Sequence, residues 1–398
     1  MDVRGFSVST TGRQVRVVGA IGAALAGLGA LALGLAPAAS GSIAAASRPA
    51  AAHFPAGVSG QITAIAAVPH SSDLWALVLD GTTSCASGRF YLLHRHHGHW
   101  TKVKAPNIGH CGELTSIVAA SAHDIILGGG RTAEQIQNIP SVYRSTGGKF
   151  TRMKTPQYCD GASDVQAVTA SSPSNIWAAG AMWPCPANSA QAMLHWRGKS
   201  WASVAFPNFN NDGIRSISTS AANNAWALNV DGTILQWKVS SWVQNGTPPA
   251  GDQLNAIATG SPKLAYLVGA AQNPTTFKNS PVILRYDGTK WAPAGMSKGL
   301  VGIQLQYVAM HGKTAWAIGS RYNSARDTNH PVVMRSTGGT WSVLKNTLPK
   351  NVTFDSLSAV SSSHAFIGGA IENEAARTVK TLVIEVSGNH LKLLSSHP

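Results

Sequence analysis

The sequence has little charge and lacks the short motifs that mark the common enzyme classes. Only 12% of its 398 residues are charged, and 31 Lys and Arg against 17 Asp and Glu give a formal net charge of +14. No Gly-x-Ser-x-Gly, His-Glu-x-x-His or phosphate-binding loop occurs. No dense run of Lys and Arg with interleaved aromatics occurs either, so we expect no specific nucleic-acid partner and no cofactor.

Long apolar runs are also scarce, and the one that exists lies near the N-terminus. Three arginines precede an uninterrupted apolar segment, Val17–Leu35, which a small-residue site at Ala38 follows. This order predicts a secretory signal peptide over residues 1–38 and a secreted or cell-envelope protein. An uncleaved membrane anchor is the alternative, because the run approaches the length that spans a bilayer. Cleavage would remove three arginines and Asp2, so the remainder would carry +12 instead of +14.

Residues 39–60 are rich in Ala, Ser, Gly and Pro, a composition that predicts a flexible linker.

Cysteine is rare: the chain has Cys85, Cys111, Cys159 and Cys185. An even number in an exported protein predicts disulfides. Among the three possible pairings we favour Cys85–Cys111 and Cys159–Cys185, each 26 residues apart. A zinc site made of four thiolates is the alternative, but no two cysteines lie two to four residues apart, so we expect no metal.

The rest of the chain repeats one unit at a period of about fifty residues. The unit is clearest at Leu305–Leu344, where alternating apolar residues and a Gly338-Gly339 turn predict four short strands. Second-strand landmarks fall at Trp75, Ile125, Trp177, Trp226, Tyr266, Trp316 and Phe366. Fourth-strand landmarks fall at Trp100, Phe150, Trp201, Trp242, Trp291, Trp341 and Leu391.

Seven four-stranded units predict an all-β fold, a seven-bladed β-propeller over residues 61–395. We place the blades near 62–106, 114–156, 165–207, 214–248, 254–295, 305–347 and 354–394. The repeated aromatics are then wedges between adjacent blades. Blade 1 has its own first strand and blade 7 its own fourth strand. We therefore expect the ring to close by packing between these blades, with His53-Phe54-Pro55 as a strap, and the protein to be a monomer.

Two hairpins connect these units to a known group of proteins. Arg144–Phe150 and Arg335–Trp341 share the order Arg-Ser-Thr-Gly-Gly. They resemble degenerate Asp-box (BNR-type) turns of sialidase-like and photosystem assembly-factor propellers. The usual aspartate is missing, with Thr146 or Thr337 in its neighbourhood, and only Asp287 keeps an acidic turn. The resemblance implies the propeller fold and no particular activity, because propellers include hydrolases, oxidases and binding proteins.

Candidate ligand-binding residues lie in the loops that join second to third strands. These loops are long in every unit except the fourth, and long loops on one face of a rigid scaffold are typical binding sites. Trp183 is the only tryptophan outside the repeated positions. It would be a rigid anchor for a ligand, or it packs under its own loop. Tyr158, Arg131, Arg321 and Tyr322 complete the predicted binding residues.

A histidine cluster, His94-Arg-His96-His97-Gly-His99, falls in the predicted outer hairpin of blade 1. Histidine-rich segments can bind metal ions. Here the sequence shows no accompanying carboxylate and no fixed ligand spacing, so we expect incidental surface histidines.

These features favour an exported, non-catalytic binding scaffold that acts through its loop-rich face. The partner would be an envelope polysaccharide or other anionic polymer, or an extracellular protein, since the basic charge favours anionic surfaces. A carbohydrate-active enzyme, a glycoside hydrolase or lyase, is the alternative. It would require Asp160, Asp164 or Asp212 to face a second carboxylate across a cleft. A membrane-tethered assembly factor is a third hypothesis, which depends on an uncleaved N-terminal segment.

Overall fold

The structure is a computed structural model in which strands, turns and loops account for the described part of the chain. It describes residues 54–81, 89–109, 111–133, 137–146, 148–158, 163–183, 185, 191–207, 213–323, 328–349, 351–373 and 378–395. Within these ranges no helix occurs that is long and apolar enough to cross a membrane. The predicted signal peptide or anchor, Cys85, Cys159, Asp160 and Asp212 lie outside the described residues.

The strands form seven antiparallel sheets, one for each predicted unit, and this confirms the seven-bladed β-propeller. In every sheet the four strands follow one another in chain order. Blades 1 to 4 contain β1 (Gln61–Ala67), β2 (Leu74–Asp80), β3 (Arg89–His96), β4 (His99–Lys104); β5 (Glu113–Ser121), β6 (Asp124–Ala133), β7 (Gln137–Thr146), β8 (Phe150–Arg152); β9 (Ala167–Ser172), β10 (Asn175–Ala179), β11 (Ala192–Trp196), β12 (Trp201–Ala205); and β13 (Ile214–Ala221), β14 (Asn224–Asn229), β15 (Ile234–Lys238), β16 (Ser241–Gln244).

The fifth to seventh blades continue this plan, with one short strand added between blades 5 and 6. They contain β17 (Asp252–Ser261), β18 (Leu264–Gln272), β19 (Asn279–Tyr286), β20 (Trp291–Pro293); the extra strand β21 (Gly295–Met296); β22 (Ile303–His311), β23 (Thr314–Asn323), β24 (Thr328–Thr337), β25 (Thr340–Val343); and β26 (Val352–Ala359), β27 (His364–Asn373), β28 (Thr378–Ser387), β29 (His390–Ser395). The extra strand β21 pairs in parallel with β25, the outermost strand of blade 6. No repeated sequence signal predicts this strand.

The repeated aromatics pack between neighbouring blades, which confirms their prediction as wedges. At four joints a second-strand ring meets a fourth-strand ring of the next blade in an edge-on arrangement. These pairs are Trp75 with Phe150, Trp177 with Trp242, Trp226 with Trp291, and Tyr266 with Trp341, at centroid distances of 6.1, 5.1, 5.1 and 5.2 Å. Such edge-to-face pairs contribute about 0.5–1.5 kcal/mol each beyond the burial of their surface. The same contact therefore stabilises successive joints of the ring.

The Arg-Ser-Thr-Gly-Gly hairpins show what replaces the missing aspartate. The Ser145 hydroxyl accepts a hydrogen bond from the backbone N–H three residues on, at 3.0 Å, and Ser336 does the same at 3.2 Å. Serine therefore holds these turns, rather than the threonine that follows it. In blade 5, Asp287 accepts hydrogen bonds from the Thr289 hydroxyl and from backbone N–H groups, which lower the pKa of its carboxyl.

The arginine of the same motif ties its blade to the next one. Arg144 makes two hydrogen bonds of 2.7 and 2.5 Å to Asp124, whose side chain is only 6% exposed. It also donates to the Pro173 carbonyl in blade 3 at 3.0 Å, and its guanidinium lies 5.4 Å from the Trp196 ring centroid. Arg335 bridges blades 6 and 7 in a similar way, by donating to a backbone carbonyl of the β26–β27 turn.

The ring closes by packing between blades 7 and 1, as predicted, without exchange of strands. Gln61 of blade 1 donates a 2.6 Å hydrogen bond to Asp355 of blade 7. Phe54 is buried at this joint with its ring 5.0 Å from that of Trp100, at an interplanar angle of 66°. Phe54 and Trp100 share a hydrophobic cluster with Phe366 and Leu394 of blade 7, so the segment before β1 covers this joint, in agreement with the expected role of Phe54.

Candidate functional site

The loop-rich face carries a groove between blades 5 and 6, with a volume of about 880 Å³. We call it the blade 5/6 groove. Its walls are the β18–β19 loop, the connection into β22, the β23–β24 ends and the segment after β25. Its lining residues include Phe277, Lys278, Val301, Arg321, Tyr322 and Lys345. Two of the five predicted binding residues, Arg321 and Tyr322, therefore share one groove.

Backbone hydrogen bonds between the two blades fix the positions of these residues. Arg321 lies near the end of β23, opposite His330 of β24. The Tyr322 N–H donates to the Gly302 carbonyl at 3.1 Å, and the Gly302 N–H donates to the Asn279 carbonyl at 2.6 Å. Because Asn279 begins β19, this chain of bonds holds the blade 5 loop against the blade 6 strands. Tyr322 remains 51% exposed beside it.

Phe277 is the most unusual residue of the groove. Its side chain is 73% exposed and its backbone has a φ of 54°, in the left-handed region. The loop holds this conformation because the Asn273 side chain accepts hydrogen bonds from the N–H groups of Thr275 and Thr276, at 3.0 and 2.8 Å. A left-handed conformation costs a non-glycine residue about 1–2 kcal/mol. An exposed aromatic held in strained backbone is typical of a recognition residue.

The groove is positive. Lys278 and Lys345 are exposed, and Arg321 is half-buried. The buried Nε–H of Arg321 has no hydrogen-bond acceptor among the described residues. No Asp or Glu occurs among the described residues that line the groove. Cations without nearby carboxylates favour an anionic ligand such as a carboxylate, sulfate or phosphate group.

A second groove on the loop-rich face, in blade 1, is also basic, and one of its three cations has partners within the protein. Its volume is about 640 Å³, and Arg89, Lys102 and Lys104 line it. The Lys102 ammonium lies 3.9 Å from the Tyr91 ring centroid and donates to the Gly57 carbonyl at 3.2 Å. None of the described large apolar residues that are exposed lies in this groove. Phe90 and Tyr91 also line it, but Phe90 is half-buried and Tyr91 is buried, so the groove offers charge without an exposed aromatic anchor.

The third groove lies on the opposite face, between blades 3 and 4, with a volume of about 660 Å³. His195 is buried there and stacks on Trp177 at a centroid distance of 3.8 Å. One ring nitrogen of His195 bonds the Asn175 side-chain oxygen at 2.8 Å, and the other accepts from Arg197 at 3.1 Å. Burial, with the Arg197 charge adding to it, lowers the pKa of His195 to about 4. The histidine is therefore a neutral structural group.

Two other predicted binding residues lie together at the junction of blades 2 and 3. The Trp183 N–H donates to the Ser163 hydroxyl at 3.2 Å, and the side chain is half-buried. The Cys185 N–H donates to the Gln157 carbonyl at 3.0 Å, which brings the Trp183 loop beside Tyr158. Burial raises the pKa of the Tyr158 phenol. Neither aromatic lines one of the three grooves, so a binding role for Trp183 stays a prediction.

Arg131 lies near the end of β6, opposite Ile139 of β7, and is half-buried. It lines none of the three grooves.

Of the cysteines, Cys111 and Cys185 are both disulfide-bonded. Cys85 and Cys159 lie outside the described residues, so the pairing itself stays a prediction.

The histidine cluster of blade 1 corrects one expectation. Asp73, at the β1–β2 turn, lies beside it, and its carboxylate is 2.6 Å from His96 Nδ1. The expectation that no carboxylate accompanies the histidines is wrong, because the hairpin brings in a residue 23 positions away.

Three solved structures resemble the chain over most of its length. YCF48 bound to D1 peptide matches at 12% identity over 86% of this chain and 99% of that chain, with a TM-score of 0.53. The β-propeller domain of the Trilobed protease from Pyrococcus furiosus matches at 6% over 85% and 98%, with a TM-score of 0.55. The GH74 xyloglucanase from Xanthomonas campestris matches at 14% over 85% of this chain but only 60% of its own, with a TM-score of 0.51. The likeness is one of fold. No protein-family model and no curated protein matches the chain.

Proposed function

We propose that this chain is an exported, non-catalytic binding propeller that holds an acidic segment of an extracellular protein in the blade 5/6 groove. One observation is the main support for this proposal. Three cations and two exposed aromatic rings line a groove of about 880 Å³ that has no carboxylate among its described residues. Basic residues beside aromatic anchors are a common composition of protein-recognition surfaces.

The exposed apolar side chains of the blade 5/6 groove favour a polypeptide ligand over a uniformly charged polymer. Phe277 and Val301 are 73% and 56% exposed at the groove, so part of the ligand must be apolar to cover them. The blade 1 groove is also basic, but none of its described lining residues is a large exposed apolar side chain, so a simple polyanion would suit it equally well. The similar YCF48 structure is bound to D1 peptide, which supports the idea that a propeller of this general shape can hold one.

The exported location rests on the N-terminal sequence and on cysteine chemistry. An apolar run with a small-residue site precedes the propeller, and Cys111 and Cys185 are disulfide-bonded, which suits an oxidising compartment. We expect membrane contact only where the N-terminal segment is retained. The same hypothesis includes a monomer, because the ring closes on itself.

A carbohydrate-active enzyme is less well supported. Such an enzyme needs two carboxylates about 5–10 Å apart across a cleft. None of the three grooves has a carboxylate among its described lining residues. Asp164 accepts a hydrogen bond from Gln166 at 3.4 Å and lines none of them, and Asp160 and Asp212 lie outside the described residues.

A peptide titration tests the proposal. The probe is a fluorescent peptide of alternating glutamate and apolar residues, and its anisotropy reports binding. Phe277→Ala and Lys278→Ala should each weaken binding by about 10-fold, the cost of losing one recognition residue. Lys104→Ala removes a cation of the blade 1 groove and should leave the affinity unchanged. Both lysines are exposed, so neither change should affect folding.

Two outcomes would contradict the proposal. Equal weakening by Lys104→Ala, with loss of binding in moderate salt, would reduce the interaction to surface charge. Tight binding of a polyuronate that Trp183→Ala abolishes and Phe277→Ala ignores would move the site to the junction of blades 2 and 3, with a polysaccharide as the partner.

A further inference from the structure

Three potential metal ligands meet on one face of the blade 1 sheet. His94 and His96 are two residues apart on β3, so their side chains share a face. His94 pairs across the sheet with Trp75 of β2, which places Asp73, two residues earlier, opposite His96. Residues directly opposite in an antiparallel pair have Cβ atoms only about 4.5–5.5 Å apart. The strand register therefore gathers an aspartate and two histidines that the sequence separates.

The distances are close to those of a coordination site. Asp73 Oδ2 lies 2.6 Å from His96 Nδ1, and one ligand atom each from Asp73, His94 and His96 lie within 4.8 Å of one another. Metal–ligand bonds of about 2.0–2.2 Å in a tetrahedral zinc site put the ligand atoms about 3.3 Å apart. Side-chain rotations alone, with no change of backbone, span this difference.

Neighbouring residues fix the positions of His94 and Asp73, whereas His96 is open to solvent. The His94 ring stacks on Trp75 at a centroid distance of 4.0 Å and an angle of 11°. The Asp73 carboxylate accepts a 3.3 Å hydrogen bond from the His97 N–H, which orients it toward the histidines. The His96 side chain is 56% exposed, so an ion can enter from solvent.

We propose that His94, His96 and Asp73 bind a divalent transition-metal ion such as Zn²⁺. Two imidazole nitrogens and one carboxylate oxygen suit zinc and its neighbours, whereas Ca²⁺ and Mg²⁺ require oxygen ligands. Three protein ligands leave at least one coordination position for water or an external group. The site lies at the hairpin ends of blade 1, on the face opposite the blade 5/6 groove, and so is independent of the proposed peptide binding.

Metal titration of the purified protein tests this site. Calorimetry with Zn²⁺ and visible absorption with Co²⁺ should both show saturation at one equivalent. His96→Ala and Asp73→Asn should weaken binding by at least about 10-fold, since loss of even an outer-shell partner typically costs about 10- to 100-fold in metal affinity. His123→Ala, an exposed histidine at the β5–β6 turn of the next blade, is the matched control and should leave the affinity unchanged. His94 is left intact because its ring packs on Trp75.

Thermal unfolding separates a lost site from a damaged fold. Saturating Zn²⁺ should raise the unfolding temperature of the wild type and of His123→Ala but not that of His96→Ala. All three should unfold at the same temperature without metal, since both replaced histidines are exposed. Unchanged affinity in His96→Ala and Asp73→Asn, or wild-type binding that does not saturate at one equivalent, would overturn the proposal.

Discussion

Replacement of Phe54 by alanine should loosen the joint at which the propeller ring closes. Phe54 is 6% exposed and shares a hydrophobic cluster with Trp100 of blade 1 and with Phe366 and Leu394 of blade 7. A buried aromatic side chain removes about 150–250 Å² from water, which at about 25 cal/mol per Å² corresponds to about 4–6 kcal/mol. Buried Phe→Ala changes cost about 3–5 kcal/mol. Because Phe54 precedes the first strand and its segment can relax, we expect about 3 kcal/mol.

The measurement is the free energy of unfolding in urea, with thermal unfolding in parallel. For a chain of this size each kcal/mol shifts the unfolding temperature by about 2 °C, so Phe54→Ala should lower it by about 6 °C. Phe277→Ala is the matched control, since the same atoms are removed from a side chain that is 73% exposed. It should leave the unfolding temperature within about 1 °C of wild type.

The unfolding temperatures of Phe54→Ala and Phe277→Ala together show whether the segment before β1 holds the ring closed. If Phe54→Ala unfolds at the same temperature as Phe277→Ala, the segment before β1 does not hold the ring closed. The contacts of Gln61 with Asp355 and the packing of blade 7 on blade 1 would then be sufficient for closure.

Two further predictions concern the effect of buried polar groups on the free energy of unfolding. His195 has a pKa of about 4 in the folded chain, below its ordinary 6.5, so the unfolded chain binds a proton that the native state excludes as the pH falls. Urea titrations from pH 7.5 to 4 should therefore show stability constant above pH 6.5 and falling below it by up to about 3 kcal/mol, and His195→Gln should flatten that decline. Arg144→Ala should cost about 3 kcal/mol in the same assay, because it leaves the buried Asp124 carboxylate unpaired. Arg152→Ala, at an exposed position, should cost less than about 0.5 kcal/mol, and equal midpoints would contradict a stabilising role for the Arg144–Asp124 pair.

The blades were predictable because their signals are local. A strand that buries one face must alternate, and a wedge such as Trp226 must recur once per blade at the same strand position. The closure was predictable for the same reason, since complete first and fourth strands at the two ends leave no strand to exchange. Here local pattern and tertiary structure carry the same information.

The candidate sites depend on contacts that no local pattern encodes. Arg321 and Tyr322 were predicted as loop residues, but their groove exists only because the β18–β19 loop of the neighbouring blade packs against them. The exposure of Phe277 follows from an Asn273-centred turn with left-handed backbone, which composition does not reveal. Asp73 reaches His96 only through the register of β2 on β3.

The short strand β21 has a consequence for how blade 6 meets other molecules. An outermost strand normally displays unpaired N–H and C=O groups that recruit strands from other chains. Here Gly295 and Met296 pair with Thr340 and Trp341 of β25, so this stretch of edge is already occupied by the protein's own chain. At these two residues β25 is closed to strand pairing with a second copy. A peptide in the adjacent groove cannot add a strand at these two residues, and must be recognised there through side chains.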